Sequence, residues 1–224
     1  MTLEFIEYPD REMLGLSLAN KIAGQLAQQL RTAEHASLCV PGGTTPAPVF
    51  DTLSGSDLDW SKVTVFLNDE RWVDGEHTRS NSRLLRRHLL TGKAAAASYI
   101  DLYTGDARPE DAVPALSAAI EPLLPITVLF LGMGVDMHTA SLFPQAPETV
   151  AALAPDAPAV IAVNNLKDEP RITLTAPVLQ KAIHTHLMIT GADKRDALER
   201  AQTLDPKAAP IRAFLGDITV HWAE

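Results

Sequence analysis

The chain has one cysteine in 224 residues, Cys39, so no internal disulfide is available to it. Cys39 lies inside the apolar run 38–40, which predicts a reduced thiol in a core. Long hydrophobic runs are missing too. The longest, 126–131, is far below the roughly 20 residues that a membrane helix needs, and it suits a buried strand. The first residues, MTLEFIEYPDRE, carry acids where a secretory signal carries basic residues before an apolar stretch. Cytoplasm is the expected compartment, with no membrane partner. Positive charge is the scarcer sign: 19 Lys and Arg stand against 28 Asp and Glu, a net charge of −9. That deficit argues against nucleic acid, whose binding depends on cations neutralising phosphates. It leaves room for a small anion, because a few local cations and backbone N–H groups suffice for one phosphate.

Internal repeats and long linkers are also absent, so one domain over residues 1–224 is expected. With 46% hydrophobic and 21% charged residues, the chain can bury a large core. A strand at 3–7 precedes a helix at 11–30, where Leu14, Leu18, Ile22, Leu26 and Leu30 fall at helical spacing. Further strands are expected at 37–40, 63–67, 126–131, 159–163, 172–175, 185–190 and 218–222. Further helices are expected at 46–53, 80–90, 109–124 and 192–202, with Ser80 as an N-cap. The Ala/Pro-rich stretch 145–158 reads as surface loop with room for one helical turn. This alternation predicts an α/β fold with a mostly parallel sheet and helices on both faces. The region 93–121 is a candidate for a small helical appendage.

What is present is concentrated. Four polar clusters each begin directly after an expected strand: Gly42-Gly43-Thr44-Thr45, Asn68-Asp69-Glu70-Arg71, the run from Gly132 to His138, and Gly191-Ala192-Asp193-Lys194. Carboxyl ends of parallel strands share one edge, and open α/β folds place ligands there. The crevice so formed collects glycines, hydroxyls, an Arg, a Lys, carboxylates and a His, an inventory suited to an anionic, hydroxylated substrate.

The glycines of the first loop let backbone N–H groups approach a ligand, and Pro46 fits the first turn of an anion-attracting helix. The same residues also suit a plain strand-to-helix turn. Arg71 offers the bidentate fork that phosphate or a sugar oxygen accepts, although Asp69-Glu70-Arg71 alone also reads as a solvated loop. An imidazole suits a general base near neutral pH, which makes His138 the candidate base and Asp136 the candidate to orient its ring. The alternative is a histidine capping a helix that starts at Thr139. Lys194 lies in the first turn of a helix, where the macrodipole disfavours a cation unless an anion compensates; Asp193 and Asp196 are the local alternatives to a ligand. Arg171 opens the strand RITLT, and an antiparallel course brings it to the same edge. No Gly-Lys-Ser/Thr follows the first loop, no third glycine follows Gly132-x-Gly134, and no ligand-spaced His or Cys accompanies His138. A nucleotide P-loop, a dinucleotide fingerprint and a zinc site are therefore not expected, although His184 and His186 share one face of a strand.

The segments VPGGTTP, NDERWVDGEHTRSN, LGMGVDMHTASLFP, RITLT and TGADKRDAL, in this order, resemble the 6-phosphogluconolactonases, part of a group that includes glucosamine-6-phosphate isomerase/deaminases. The resemblance implies a Rossmann-like sheet and hydrolysis of 6-phosphogluconolactone to 6-phosphogluconate in the oxidative pentose phosphate pathway. No metal or organic cofactor is implied, and the substrate implied is a phosphorylated sugar lactone. The protein is expected to be a monomer or weak homo-oligomer. By the same resemblance His138 is the base that activates water, which leaves Asp136 as the residue expected to orient it. Gly42, Gly43, Thr44 and Thr45 bind substrate together with Arg171 and Lys194, while Asp69 and Arg71 shape the sugar site. Two positions depart from the pattern: Pro41 where serine is common, and Met137 where glycine is usual.

Lactone hydrolysis needs an activated water, an oriented carbonyl and donors for an oxyanion. No Gly-x-Ser-x-Gly nucleophile motif is present, which favours direct attack by water. The rival enzyme is an amino-sugar phosphate isomerase/deaminase, whose relatives follow the histidine turn with an Asn-Glu pair. Leu142-Phe143 stand here instead and cannot transfer protons. A non-catalytic sugar-phosphate sensor is the third reading, and the chain has no residues to spare for the DNA-binding module such regulators carry.

Overall fold

A computed structural model describes residues 2–164 and 169–224. Strand β1 (Thr2–Glu7) leads into helix α1 (Arg11–Leu30), which starts where the Asp10 carboxylate accepts the Met13 N–H at 2.7 Å. Its buried stripe of Leu14, Leu18, Ile22 and Leu26 follows the 3.6-residue period. Burying each such side chain contributes about 1.5–3 kcal/mol. Next come β2 (Ala36–Val40), α2 (Ala47–Ser54), β3 (Val63–Leu67), β4 (Asp69–Arg71), α3 (Asn81–His88) and β5 (Ser98–Ile100). The chain continues through α4 (Pro109–Ile120), β6 (Val128–Gly132), α5 (Pro147–Ala152), β7 (Val160–Val163) and β8 (Arg171–Leu174). It ends with α6 (Ala176–Leu179), β9 (His184–Thr190), α7 (Ala192–Ala201) and β10 (Asp217–Ala223).

Seven strands form one sheet in the order β1-β10-β9-β6-β2-β3-β5, and every neighbouring pair is parallel. This is the Rossmann-like α/β architecture that alternation and continuous apolar strands predict. The chain runs outward from β2 to β3 and β5, then returns to β6 on the other side of β2. The strand order therefore reverses between β2 and β6, and the crevice at their carboxyl ends is the fold's ready-made ligand position. Cys39, on β2, is a fully buried free thiol beside this point.

A second sheet, β4-β8-β7, is antiparallel and was not anticipated. Residues 69–71, read as a loop, form its first strand. The joint is Asn68, whose N–H donates to Val40 of the main sheet and whose carbonyl accepts from Leu174 of β8, both at 2.9 Å. Such a short strand carries too little alternation to be seen in sequence, and its pairing with β8 defines it. The region 93–121 is integrated rather than appended. It supplies β5 as the sheet's edge strand, and Ala112, Leu116 and Ile120 of α4 belong to the common core. The stretch 145–158 contains the short helix α5. Among the described residues no helix is long and apolar enough to cross a membrane.

Candidate active site

A cleft of about 230 Å³ opens at the carboxyl edge, where β2 and β6 separate. All four loops singled out in the sequence reach it. Gly42, Gly43, Thr45, Asp69, Arg71, His138, Arg171 and Lys194 line it; Asp136 and Thr44 do not. Asp136 instead stands behind His138. Thr44 faces a neighbouring depression.

His138 is presented by a tight turn, not by a helix cap. The Gly134 N–H donates to the His138 carbonyl at 3.0 Å, and Met137 N–H donates to Gly134 at 2.9 Å. A Cβ on Gly134 would lie 2.3 Å from the His138 ring and 2.5 Å from the Asp136 carboxylate, so only glycine admits both side chains. Met137 has φ of 70°, a left-handed conformation that a branched or long side chain adopts at some cost. The Met137 side chain packs against the core outside the cleft, and its carbonyl accepts from Ile211 N–H.

The Asp136 carboxylate lies 2.5 Å from His138 Nδ1 and also accepts the His138 backbone N–H at 3.2 Å. The bond to the imidazole, first, holds the Asp136 carboxyl below its ordinary range despite partial desolvation. An ionised carboxylate only accepts, so the Nδ1 proton is assigned to this bond and Nε2 carries the free lone pair. The ring's face is held as well. It stacks on Phe143 with centroids 4.7 Å apart and planes at 28°, and the Arg171 guanidinium lies 5.3 Å from the centre of the same phenyl ring.

Arg171 and Arg71 are register partners across the β8–β4 pair. Like charges directly opposite one another are unfavourable in a sheet. Among the described residues, the nearest carboxylates to Arg171, Asp69 at 3.8 Å and Glu169 at 3.7 Å, are too far for hydrogen bonds. Nε of both arginines is buried without a partner among the described residues. Burial lowers the Arg171 pKa, with Asp69 opposing that shift. Lys194, in the first turn of α7, has no carboxylate partner among the described residues, and desolvation lowers its pKa. Asp193 and Asp196 face a separate surface depression. Three cations with unspent bonding capacity thus converge beside His138, an arrangement that an anion would satisfy.

Several residues support the site through contacts that no sequence spacing displays. Glu70 is fully buried, and its carboxylate accepts from the backbone N–H groups of Arg71, Asn81 and Ser82 at 2.6–2.9 Å and from the Ser80 hydroxyl. Burial pushes its pKa up, against those hydrogen bonds. It ties the start of α3 to β4 and so fixes Asp69 and Arg71 on either side. Ser80 caps α3 as expected, accepting from Arg83 N–H at 3.2 Å. Asn81 packs so close to Gly42 that a Cβ there would fall 2.1 Å from its side chain. Asp69 accepts a 2.5 Å hydrogen bond from Ser141. Among the described residues no group of three or more His, Cys, Asp or Glu side chains is arranged to hold a metal ion.

A cation-lined cleft with an Asp-oriented histidine at the switch point of a parallel sheet defines an α/β enzyme that acts on a small anion. The family model for glucosamine-6-phosphate isomerases/6-phosphogluconolactonase matches residues 9–222, and the chain belongs to that family. A 6-phosphogluconolactonase from Pseudomonas aeruginosa is 42% identical over 92% of this chain and 88% of its own length. One from Rhizobium meliloti is 39% identical over 94% of each. The crystal structure of a 6-phosphogluconolactonase from Shewanella baltica superposes with a TM-score of 0.95 at 33% identity, covering 100% of this chain and 98% of the other.

Proposed function

We propose that the chain is a cytoplasmic 6-phosphogluconolactonase of the oxidative pentose phosphate pathway, its 224 residues working as one domain. The carrying observation is the juxtaposition in one cleft of an Asp136-oriented His138 with the Arg171–Lys194 cation pair. His138 Nε2 takes a proton from water as the oxygen attacks the lactone carbonyl. The resulting imidazolium returns the proton to the ring oxygen as the C–O bond breaks. The hydroxy acid product ionises at neutral pH and releases one proton to solvent. Arg171 and Lys194 hold the phosphate at the far end, which positions the carbonyl. Gly42, Gly43 and Thr45 contact substrate from the β2 side, with Asp69 and Arg71 along the sugar.

The isomerase reading lacks a proton carrier after the histidine turn. Leu142 is fully buried, and Phe143 is occupied in stacking between His138 and Arg171. The test is proton release from freshly generated 6-phosphogluconolactone, followed against its spontaneous hydrolysis, beside conversion of glucosamine-6-phosphate to fructose-6-phosphate. Lactonase turnover without deamination is expected, and it should survive exhaustive EDTA dialysis. Deamination without lactonase turnover would reverse the assignment.

A further inference from the structure

Beside the cleft lies a second depression of about 490 Å³ that shares Gly43, Arg71 and Asn81 with it. Its lining includes Arg71, Arg79, Arg83, Arg87 and His88 and, among the described residues, no carboxylate. Such a concentration is unexpected on a chain of net charge −9. Arg79 is already matched by Glu169 at 2.9 Å, and the His88 ring is hydrogen-bonded to Asp51 at 2.8 Å. Arg83 and Arg87 have no ion pair among the described residues. They stand four apart on α3, on neighbouring helical positions, where like charges weaken the helix. The backbone donors at the start of α3 are spent on Glu70 and Ser80, so the side chains, not the helix terminus, give the depression its charge. Thr44, an exposed residue, lines the same space.

The volume is about twice that of the catalytic cleft, and planar guanidinium forks match phosphate oxygens pairwise. We propose that this depression is a second anion site, taking a small soluble metabolite with more than one phosphate, and that its occupant restrains catalysis through the shared Arg71. An anion drawn to Arg71 from this side competes for the cation that lines the substrate cleft, and it repels the substrate's own charge. Inhibition is therefore expected to lower kcat as well as raise KM. The kinetic readout rests on the lactonase reading; the binding does not.

Inorganic pyrophosphate serves as the probe, with ionic strength matched by sodium chloride. Wild-type protein should show mixed inhibition of lactone hydrolysis. Arg83→Gln/Arg87→Gln should keep kcat and KM within about twofold without pyrophosphate and lose the effect on kcat by about tenfold or more, as on removal of charge-assisted hydrogen bonds. Arg83→Lys/Arg87→Lys should recover part of it. Calorimetry should show the same loss of pyrophosphate affinity whether or not the lactone is a substrate, which separates failure of this site from failure of the lactonase assignment. Purely competitive inhibition unchanged in the double Gln variant would place pyrophosphate in the catalytic cleft alone and overturn the proposal. So would a rise in substrate KM in that variant without pyrophosphate, which would make Arg83 and Arg87 part of the substrate site.

Discussion

Two histidine sites in this molecule use the same side chain to opposite ends. At the carboxyl edge, His138 spends Nδ1 on Asp136 and leaves Nε2 facing a cleft. Within the sheet, His186 of β9 and His221 of β10 are buried, and every ring nitrogen is committed. The Tyr8 hydroxyl bonds His221 Nδ1 at 2.8 Å, His221 Nε2 bonds His186 Nδ1 at 3.1 Å, and His186 Nε2 bonds Gln25 Oε1 at 2.8 Å. Desolvation first, then neighbouring His221, Lys21 and His184, pushes the His186 pKa down to about 3. Desolvation and Lys21 bring His221 to about 4, against an opposing effect of Glu4. A free nitrogen with access to a ligand separates a base from a structural link; the residue type alone does not.

The largest effect that divides the two sites is on turnover. His138→Ala should lower kcat by about 10²–10⁴-fold, the usual contribution of a positioned base, with a smaller change in KM. His186→Gln should leave kcat at neutral pH near wild type. Comparable turnover in the two variants would erase the distinction and remove His138 from the mechanism.

Next in size is the clamp that gives the first site its substrate. Arg171→Ala and Lys194→Ala should each weaken recognition of the phosphorylated lactone by about 1.5–3 kcal/mol, the range for hydrogen bonds to charged groups. Remote binding energy also positions the reacting carbonyl, so kcat should fall along with the rise in KM. Glucono-lactone without phosphate should lose little in either variant. Values of kcat/KM for both lactones on all three proteins decide this. Equal losses on the two substrates would assign these cations to the fold or to the carbonyl chemistry instead of to phosphate.

The main sheet was legible because its central strands β2, β3 and β6 are short apolar runs buried on both faces, and α1 displays its stripe over five turns. The small sheet was not, since β4 reads Asp-Glu-Arg and its burial comes from β8 and α3. The cations and glycines of the site could be found from position alone, because each follows a strand that ends at one edge. Arg171 needed the added fact that β8 runs antiparallel. Glu70, Asn81, Ser141 and Phe143 act through contacts between segments distant in sequence, and no local spacing announces those. Phe143 in particular was visible only as a residue unable to carry a proton, whereas the structure places it between His138 and Arg171.

The smallest effect on activity, and the one that sharpens the contrast most, concerns acid. With Gln25 accepting from His186 Nε2–H, His186 Nδ1 must accept from His221 Nε2–H, and His221 Nδ1 from the Tyr8 hydroxyl. A proton added to His186 would set two donors face to face in a buried site. The unfolded chain, whose imidazoles titrate near pH 6.5, binds protons that the folded pair refuses until pH falls to about 4 and then about 3. Their contribution to stability is thus fully present above pH 6.5 and is lost as pH falls through that window. Two groups over two pH units set an upper bound on the order of 5 kcal/mol, or about 10–20 °C in Tm for a chain of this size. His186→Gln/His221→Gln removes both titrations. Its Tm at pH 7 should be lower than wild type for lost packing and hydrogen bonds, but its further fall between pH 7 and pH 4.5 should be shallower by several degrees. The carboxylates common to both proteins cancel in that comparison. Parallel losses of Tm in wild type and variant would mean that the pair accepts protons in the folded state as readily as in the unfolded one, and the contrast with His138 would then rest on access alone.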